Sequence, residues 1–389
     1  MLPRDRVIAA LEHREPDRIP WGEHSIDHNV YEDILGRPTY VAAKFKRTRA
    51  LWEGKRDEVV ASDKRDKLDL VRALEMDIVN CGRSPSAEDP HTPMQQVDDN
   101  TWRDEHGNLF HVSATTGNLM PFKRVEREDY EPPTVESLQA EIDALADVEP
   151  SDPNGSEWEQ VRHAVAEMKD THFIMLNVGD LEWPTFGRNE TEGWMNLVLQ
   201  PDVCRKIAEL KMKRLTIDLP TYAALGVDGI LPCGDLGSSH GLMASPDIYR
   251  DMTYPWQVEY ARRGHDLGLW VMKHCCGNIW DVIDEIATVY DAYEGIQASG
   301  GMDIEKLKER VGDKTCLWGG IWHEHIIMGS PEDIRQDARY AFTHAAPGGG
   351  YIMGSSHSLA VGAKKENVLE MKRCRDEWGA YPIDPSRFV

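Results

Sequence analysis

Eight short apolar, β-rich runs recur along the chain, and most are separated by helical patterns. They are Arg18 to Ser25, Met76 to Gly82, Phe173 to Val178, Gly229 to Cys233, Leu269 to Met272, Tyr293 to Gln297, Thr315 to Trp318 and Gly350 to Met353. Continuous apolar strands alternating with helices imply a parallel sheet covered on both faces. Eight such units close into a (β/α)8 barrel, so the expected fold is α/β, a TIM barrel, in a single domain over residues 1–389. The alternative is an open doubly wound sheet. No Gly-x-Gly-x-x-Gly or phosphate-loop pattern follows any of the runs, which weakens a nucleotide-binding version of that sheet.

Local signals agree with this rhythm. Val7, Ile8 and Leu11 share one helical face, and Pro16 ends the pattern. Ser245 before Pro246 predicts a capped helix start, Asp303 predicts another with Gly312 at its end, and Ser330 with Asp333 has capping-box spacing. Residues 83–135 break the rhythm. They are polar and proline-containing, and a charged turn carrying Gly107 between alternating segments predicts a hairpin. That stretch is expected to be an elaborated loop that covers a pocket or serves a partner.

Charge and cysteine usage narrow the function classes. A formal net charge of -23 disfavours nucleic acid and anionic membrane surfaces as partners. Seven cysteines scattered over 389 residues are not a disulfide framework. The first residues lead into an amphipathic segment, so no signal peptide is expected. No apolar run approaches the length of a membrane span. A cytoplasmic protein is the expectation.

In barrels of this kind the chemistry gathers where strands end. The run Leu269-Trp-Val-Met-Lys-His-Cys-Cys-Gly-Asn278 ends in an imidazole and two thiols. Alternation along a strand points His274 and Cys276 the same way and Cys275 the other. Imidazole and thiolate side by side make half a site for zinc. His357, after the glycine-rich run from Gly348, is the third metal candidate, since catalytic zinc uses three protein ligands and keeps one position open. Glu23, His24 and Asp235 are the catalytic candidates, although alternation disfavours both Glu23 and His24 facing the pocket. Asp235 or Gln297 is also placed to add a ligand or to orient a ligand histidine. Asp180, Trp183, His240, Gln297 and Tyr351 are the candidates for binding substrate.

Several separated stretches, in order, give the chain a family likeness. They are Arg4 to Pro20, Cys233-Gly-Asp-Leu-Gly237, Ser245-Pro246, His274-Cys-Cys-Gly277, Gly300-Gly-Met-Asp303, Trp318-Gly-Gly-Ile321 and Gly348 to His357. With these the chain resembles the uroporphyrinogen decarboxylase superfamily, and more specifically its cobalamin-dependent methyltransferase branch. The resemblance runs nearly end to end and implies a (β/α)8 barrel. The decarboxylases carry Arg-Gln-Ala-Gly-Arg after the first strand and an aspartate after the second. Here those stretches read Trp21-Gly-Glu-His-Ser-Ile-Asp27 and Asn80-Cys-Gly-Arg-Ser84, which places acid where a many-carboxylate substrate needs base.

The methyltransferase branch holds zinc with His-x-Cys and a later Cys. His274 and Cys276 match the first two, and His357 stands where the later Cys is expected. The resemblance therefore implies a zinc-dependent methyltransferase. It would move a methyl group between a small O-, N- or S-methyl compound, or a thiol, and a corrinoid (cobalamin) carried on a separate protein. The alternative is a metal-free decarboxylase or lyase of the same superfamily acting on a small substrate other than uroporphyrinogen. The expected partners are a corrinoid protein and a small methylated substrate or thiol acceptor, with neither nucleic acid nor membrane. The outer helices of such a barrel also permit a homodimer.

Overall fold

The computed structural model describes residues 1–125 and 130–388. Seven parallel strands lie side by side in chain order: Ile78–Cys81, Phe173–Gly179, Gly229–Cys233, Trp270–His274, Ala292–Glu294, Cys316–Ile321 and Tyr351–Ser355. The ring is closed by an extended segment, residues 19–23, between the last of these strands and the first. Trp21 bridges Met353 in parallel. Met353 N donates to Pro20 O (2.8 Å), Gly22 N to Met353 O (3.1 Å), and Asp77 N to Trp21 O (2.8 Å). Counted with that segment, the sheet is the eight-membered parallel ring of a (β/α)8 barrel.

Side-chain alternation splits the core into two layers. Ile78, Phe173, Met175, Leu231, Met272, Cys316, Trp318 and Ile352 fill the inside of the ring together with Val7, Ala10 and Leu11 of the helix Pro3–Leu11. That helix sits where the strands begin. Arg4 N donates to Thr171 O, just before the strand Phe173–Gly179, and Arg6 pairs with Asp77, just before Ile78–Cys81. With the strand starts plugged, the open end is the one where the strands finish. The opposite faces of the strands, carrying Val79, Ile230, Val271, Tyr293, Leu317 and Met353, pack in a larger layer under the surrounding helices.

The expected helix starts are present. Ser245 Oγ accepts from Ile248 N, Asp303 Oδ1 from Lys306 N, and Ser330 and Asp333 form a reciprocal capping box. The loop elaboration is larger than the single hairpin that Gly107 predicts. Gln95–Asp98, Thr101–Arg103, Leu109–Val112 and Leu119–Lys123 form a four-stranded antiparallel sheet, because the alternation continues on both sides of that turn. Buried Trp102 seats this sheet on Phe45 of the helix Lys44–Trp52, with ring centroids 4.5 Å apart. Among the described residues, no helix is long and apolar enough to cross a membrane.

Candidate active site

The strand Trp270–His274 is buried from Val271 onward, so each of its side chains is committed to one layer. Met272 lies inside the ring and His274 follows it at the strand's end. Lys273, fully buried, points the other way. Its amine donates to Gly234 O (2.5 Å) and His274 O (2.8 Å) and lies 2.5 Å from Asp180 Oδ2. An ammonium out of water is tolerable only when paired and hydrogen-bonded, and Lys273 is both. It thereby ties the ends of two adjacent strands together from behind.

The chain then turns sharply. Gly277 has φ +81°, and a Cβ there would come within 2.5 Å of the Gly237 backbone. Only glycine fits both the left-handed conformation and the close approach. Asn278 N donates to Ser238 O (2.7 Å), and Gln297 Oε1 accepts from Gly277 N (2.9 Å), so neighbouring loops fix the turn. Cys275 is buried in the layer behind the sheet, where its sulfur accepts from Leu236 N, while Cys276 faces the mouth side with Asp235.

His274 is the hub of the site. Its Nδ1 bonds a carboxylate oxygen of Glu294, and its Nε2 lies 3.8 Å from Asp235 Oδ1. Asp235 Oδ1 also accepts from Cys276 N and Sγ, both at 3.1 Å. On the other flank His24 stacks on His274 with ring centroids 4.0 Å apart, and its Nδ1 is 3.5 Å from Glu294 Oε1. Glu294 is 1% exposed. Burial alone would raise its carboxyl, but the charges on His24 and His274 outweigh that and hold it at about 2. Burial alone would lower His24, and Glu294 outweighs it, so His24 is shifted upward. Burial and the Asp235 carboxylate push the Cys276 thiol up.

Two overlapping sets of side chains bring candidate ligand atoms within 4.8 Å of one another: Asp235, His274 and Cys276, and His24, His274 and Glu294. Two orphaned atoms bear on whether a cation fits. His24 Nδ1 and Glu294 Oε1 are buried without a hydrogen-bond partner. Buried polar atoms are rarely left so, and a cation would satisfy Glu294 Oε1, which otherwise has only the His24 imidazole at 3.5 Å. Imidazole, thiolate and carboxylate are all zinc ligands, so the donor chemistry fits that metal. The two nitrogens of His274 favour the first set. With Nδ1 engaged by Glu294, Nε2 is the atom left to bind on the Asp235 and Cys276 side, and carboxylate-backed imidazole is a common ligand arrangement.

The other sequence candidates are placed as follows. His357 stands edge-on, 5.9 Å between ring centroids from His274 and 5.4 Å from His323, and its Nδ1 meets Ser358 Oγ. It is outside both ligand sets. Glu23 serves the ring closure: it accepts from Trp21 Nε1 (2.9 Å), Ser355 N and Ser355 Oγ (2.6 Å). Burial pushes its carboxyl up to about 7. Asp180 serves Lys273 and caps Leu181 N. Trp183 packs against Tyr249 and Trp194 with its Nε1 bonded to Leu236 O. Tyr351 is fully buried and donates to Gly319 O (2.8 Å). His240 is exposed, between the short paired strands Gly237–Ser238 and Gly241–Leu242. Gln297 supports the Gly277 turn and bonds Ser299 Oγ.

Sequence reasoning did not single out Glu294 and Lys273. The run Tyr293 to Gln297 suggests a strand ending at Gln297, but Gly295, at φ +96°, ends it at Glu294. A carboxylate on the inner parity of a buried strand was the available signal. Two cavities, about 210 Å³ and 440 Å³, adjoin the cluster and share His24, Ser25, Arg83 and Asn177 in their walls.

A closed parallel barrel with imidazole, thiol and carboxylate groups converging at its strand ends is the architecture of a barrel enzyme. Residues 187–378 match the family described as Uroporphyrinogen decarboxylase (URO-D). Curated relatives named uroporphyrinogen decarboxylase are 21% identical over 243 residues in Chlorobium phaeovibrioides and 22% over 171 residues in Chlorobium luteolum. Those alignments span 59% and 42% of this chain, and 67% and 47% of the relatives. A solved methyltransferase from Methanosarcina mazei superposes with a TM-score of 0.66 over 97% of this chain and 99% of its own, at 16% identity, which establishes a shared fold. Over residues 187–378 the chain is thus similar to the uroporphyrinogen decarboxylase family, and over nearly all of its length it shares the fold of the solved methyltransferase.

Proposed function

We propose that the protein is a metal-dependent methyltransferase that moves a methyl group between a small methylated compound or thiol and a corrinoid on a separate protein. The observation that carries this reading is His274. Its Nδ1 is taken by Glu294, and its Nε2 faces a thiol and a carboxylate that share one locus. The fold shared with the Methanosarcina mazei methyltransferase supports it. Zinc, when bound there, supplies either a lowered pKa for a thiol acceptor or Lewis acidity toward the heteroatom of a methyl donor.

The residues' own tasks follow from their geometry. His274 and Cys276 would hold the metal with Asp235, and Glu294 keeps the His274 ring in one orientation and tautomer. Lys273 fixes the two strand ends from behind, so the ligand atoms keep their separation. His24, stacked on His274 and in the wall of both cavities, is the group positioned to exchange a proton with a substrate heteroatom. His357, beside the same imidazoles, borders the space in which a substrate would lie.

The names of the family and of its curated relatives favour a second reading, a metal-free decarboxylase or lyase acting on a small substrate. Metal analysis separates the two. The expected result is near-stoichiometric zinc in the purified protein, lost in His274→Ala and Cys276→Ser, with corrinoid-linked demethylation lost alongside it. Metal-free protein whose activity survives both substitutions would overturn methyl transfer and leave the second reading.

A further inference from the structure

The smaller cavity runs from His24 and Asn80 at the strand ends outward to the helix Arg56–Leu74, and its walls change character along the way. Ile26, Tyr31, Val41, Leu70, Val71 and Met76 make its apolar part. Three cations, Arg47, Lys67 and Arg83, also line it, with two acids, Asp63, which is spent on Arg47, and Glu23, which is spent on Ser355. Two of the cations are committed. Arg47 is held bidentately by Asp63 at 2.7 and 2.8 Å, and Arg83 pairs with Asp218 while lying over the Trp158 ring. Lys67 differs. Among the described residues its amine has no hydrogen-bond or ion-pair partner, and the Cys81 thiol lines the cavity with it.

A second observation points the same way. Gln160 lines this cavity, is only 5% exposed, and its Oε1 is buried without a partner. As placed, the unpartnered atom is the oxygen; turned over about its terminal bond, the Gln160 amide presents its NH2 to an acceptor instead. An uncommitted ammonium and an uncommitted amide beside apolar walls are matched by an anion on an apolar body. One free cation compensates one negative charge, so a carboxylate fits where a dianionic phosphate would retain an excess.

We propose that this cavity seats a small organic acid. Its carboxylate lies against Lys67 and the Gln160 amide, its apolar body packs on Tyr31, Leu70 and Val71, and its reacting end reaches His24. This assigns a substrate class, an apolar monocarboxylic acid bearing the methyl group, and it rests on the reading of the strand ends as the reacting site.

Calorimetric titration of the full chain with 4-methoxybenzoate and with uncharged 4-methylanisole tests it. The acid is expected to bind at least about tenfold more tightly, as a charge-assisted hydrogen bond implies. Lys67→Met should erase that preference while Lys67→Arg retains it, with circular dichroism confirming that both variants fold. Equal affinity for the two probes, no binding of either, or an acid affinity unchanged in Lys67→Met would overturn the proposal. The same titration in His274→Ala keeps the two readings apart. A carboxylate preference that persists there, in protein that holds no metal even as wild type, would sink the metal reading and leave this one standing. Stoichiometric metal without carboxylate preference would do the reverse.

Discussion

Glu294 fixes His274: one carboxylate oxygen takes the imidazole's Nδ1 and leaves Nε2 facing Asp235, 3.8 Å away. The same carboxylate lies 3.5 Å from His24, so one buried acid orders two rings. Glu294→Gln keeps the size but replaces an acceptor oxygen with a donor and removes the charge. Zinc affinity, measured by competition with a chromogenic chelator, is expected to fall about 10- to 100-fold. An unchanged affinity would mean that His274 is not a ligand in the orientation described.

Lys273 and Asp180 form an ion pair out of reach of water, with exposures of 0% and 5%. Removing one partner of such a pair leaves a buried charge uncompensated. Lys273→Met is expected to cost about 3–5 kcal/mol in urea unfolding. Replacing both, Lys273→Met with Asp180→Leu, should recover most of that loss. If the double variant is no more stable than the single one, then the carbonyls of Gly234 and His274, rather than the charge pair, are what Lys273 holds.

The ring closure carries its own pH signature. Burial pushes the Glu23 carboxyl up to about 7, above its ordinary value of 4.5. Between those values the folded chain holds more protons than the unfolded one, so stability is full below about pH 4.5 and falls as pH rises through 7. The contribution is on the order of 3 kcal/mol. Glu23→Gln cannot titrate and loses an acceptor for Ser355 N, so it should be the less stable protein at pH 5. Its deficit relative to wild type should shrink by pH 8, as urea midpoints at the two values will show. A deficit independent of pH would mean that Glu23 is ionised throughout.

The barrel is legible in the sequence because a strand buried on both faces needs an unbroken apolar run, and such runs stand out between capped helices. The run Arg18 to Ser25 reads as a strand for the same reason, yet it makes only isolated bridges, at Arg18 and Trp21, and a side chain, Glu23, takes over part of the closure. That Cys276 joins Asp235 near His274 while Cys275 points the other way is legible from alternation alone. What alternation does not tell is which layer each parity faces. Trp183 and Tyr351 are polar-tipped residues near strand ends, but both lie in the layer under the helices, where backbone carbonyls satisfy them. Glu294 was hidden by a boundary. A conformation only glycine adopts readily, at Gly295, cuts the strand short by three residues, from Gln297 to Glu294. Lys67 was hidden by helix context, since a lysine on a charged helix reads as solvated surface.

At Gly277 and Gly237 two loops meet backbone against backbone, with no side chain between them. A joint of that kind cannot be retuned one substitution at a time. Any change of residue at either side forces the loops apart, and Cys276 and Asp235 move with them. Directed variation aimed at a new substrate would therefore be better spent on the far wall, at Tyr31, Leu70 and Val71, where side chains alone set the shape. The strand ends and the cavity beside them can then change independently of one another.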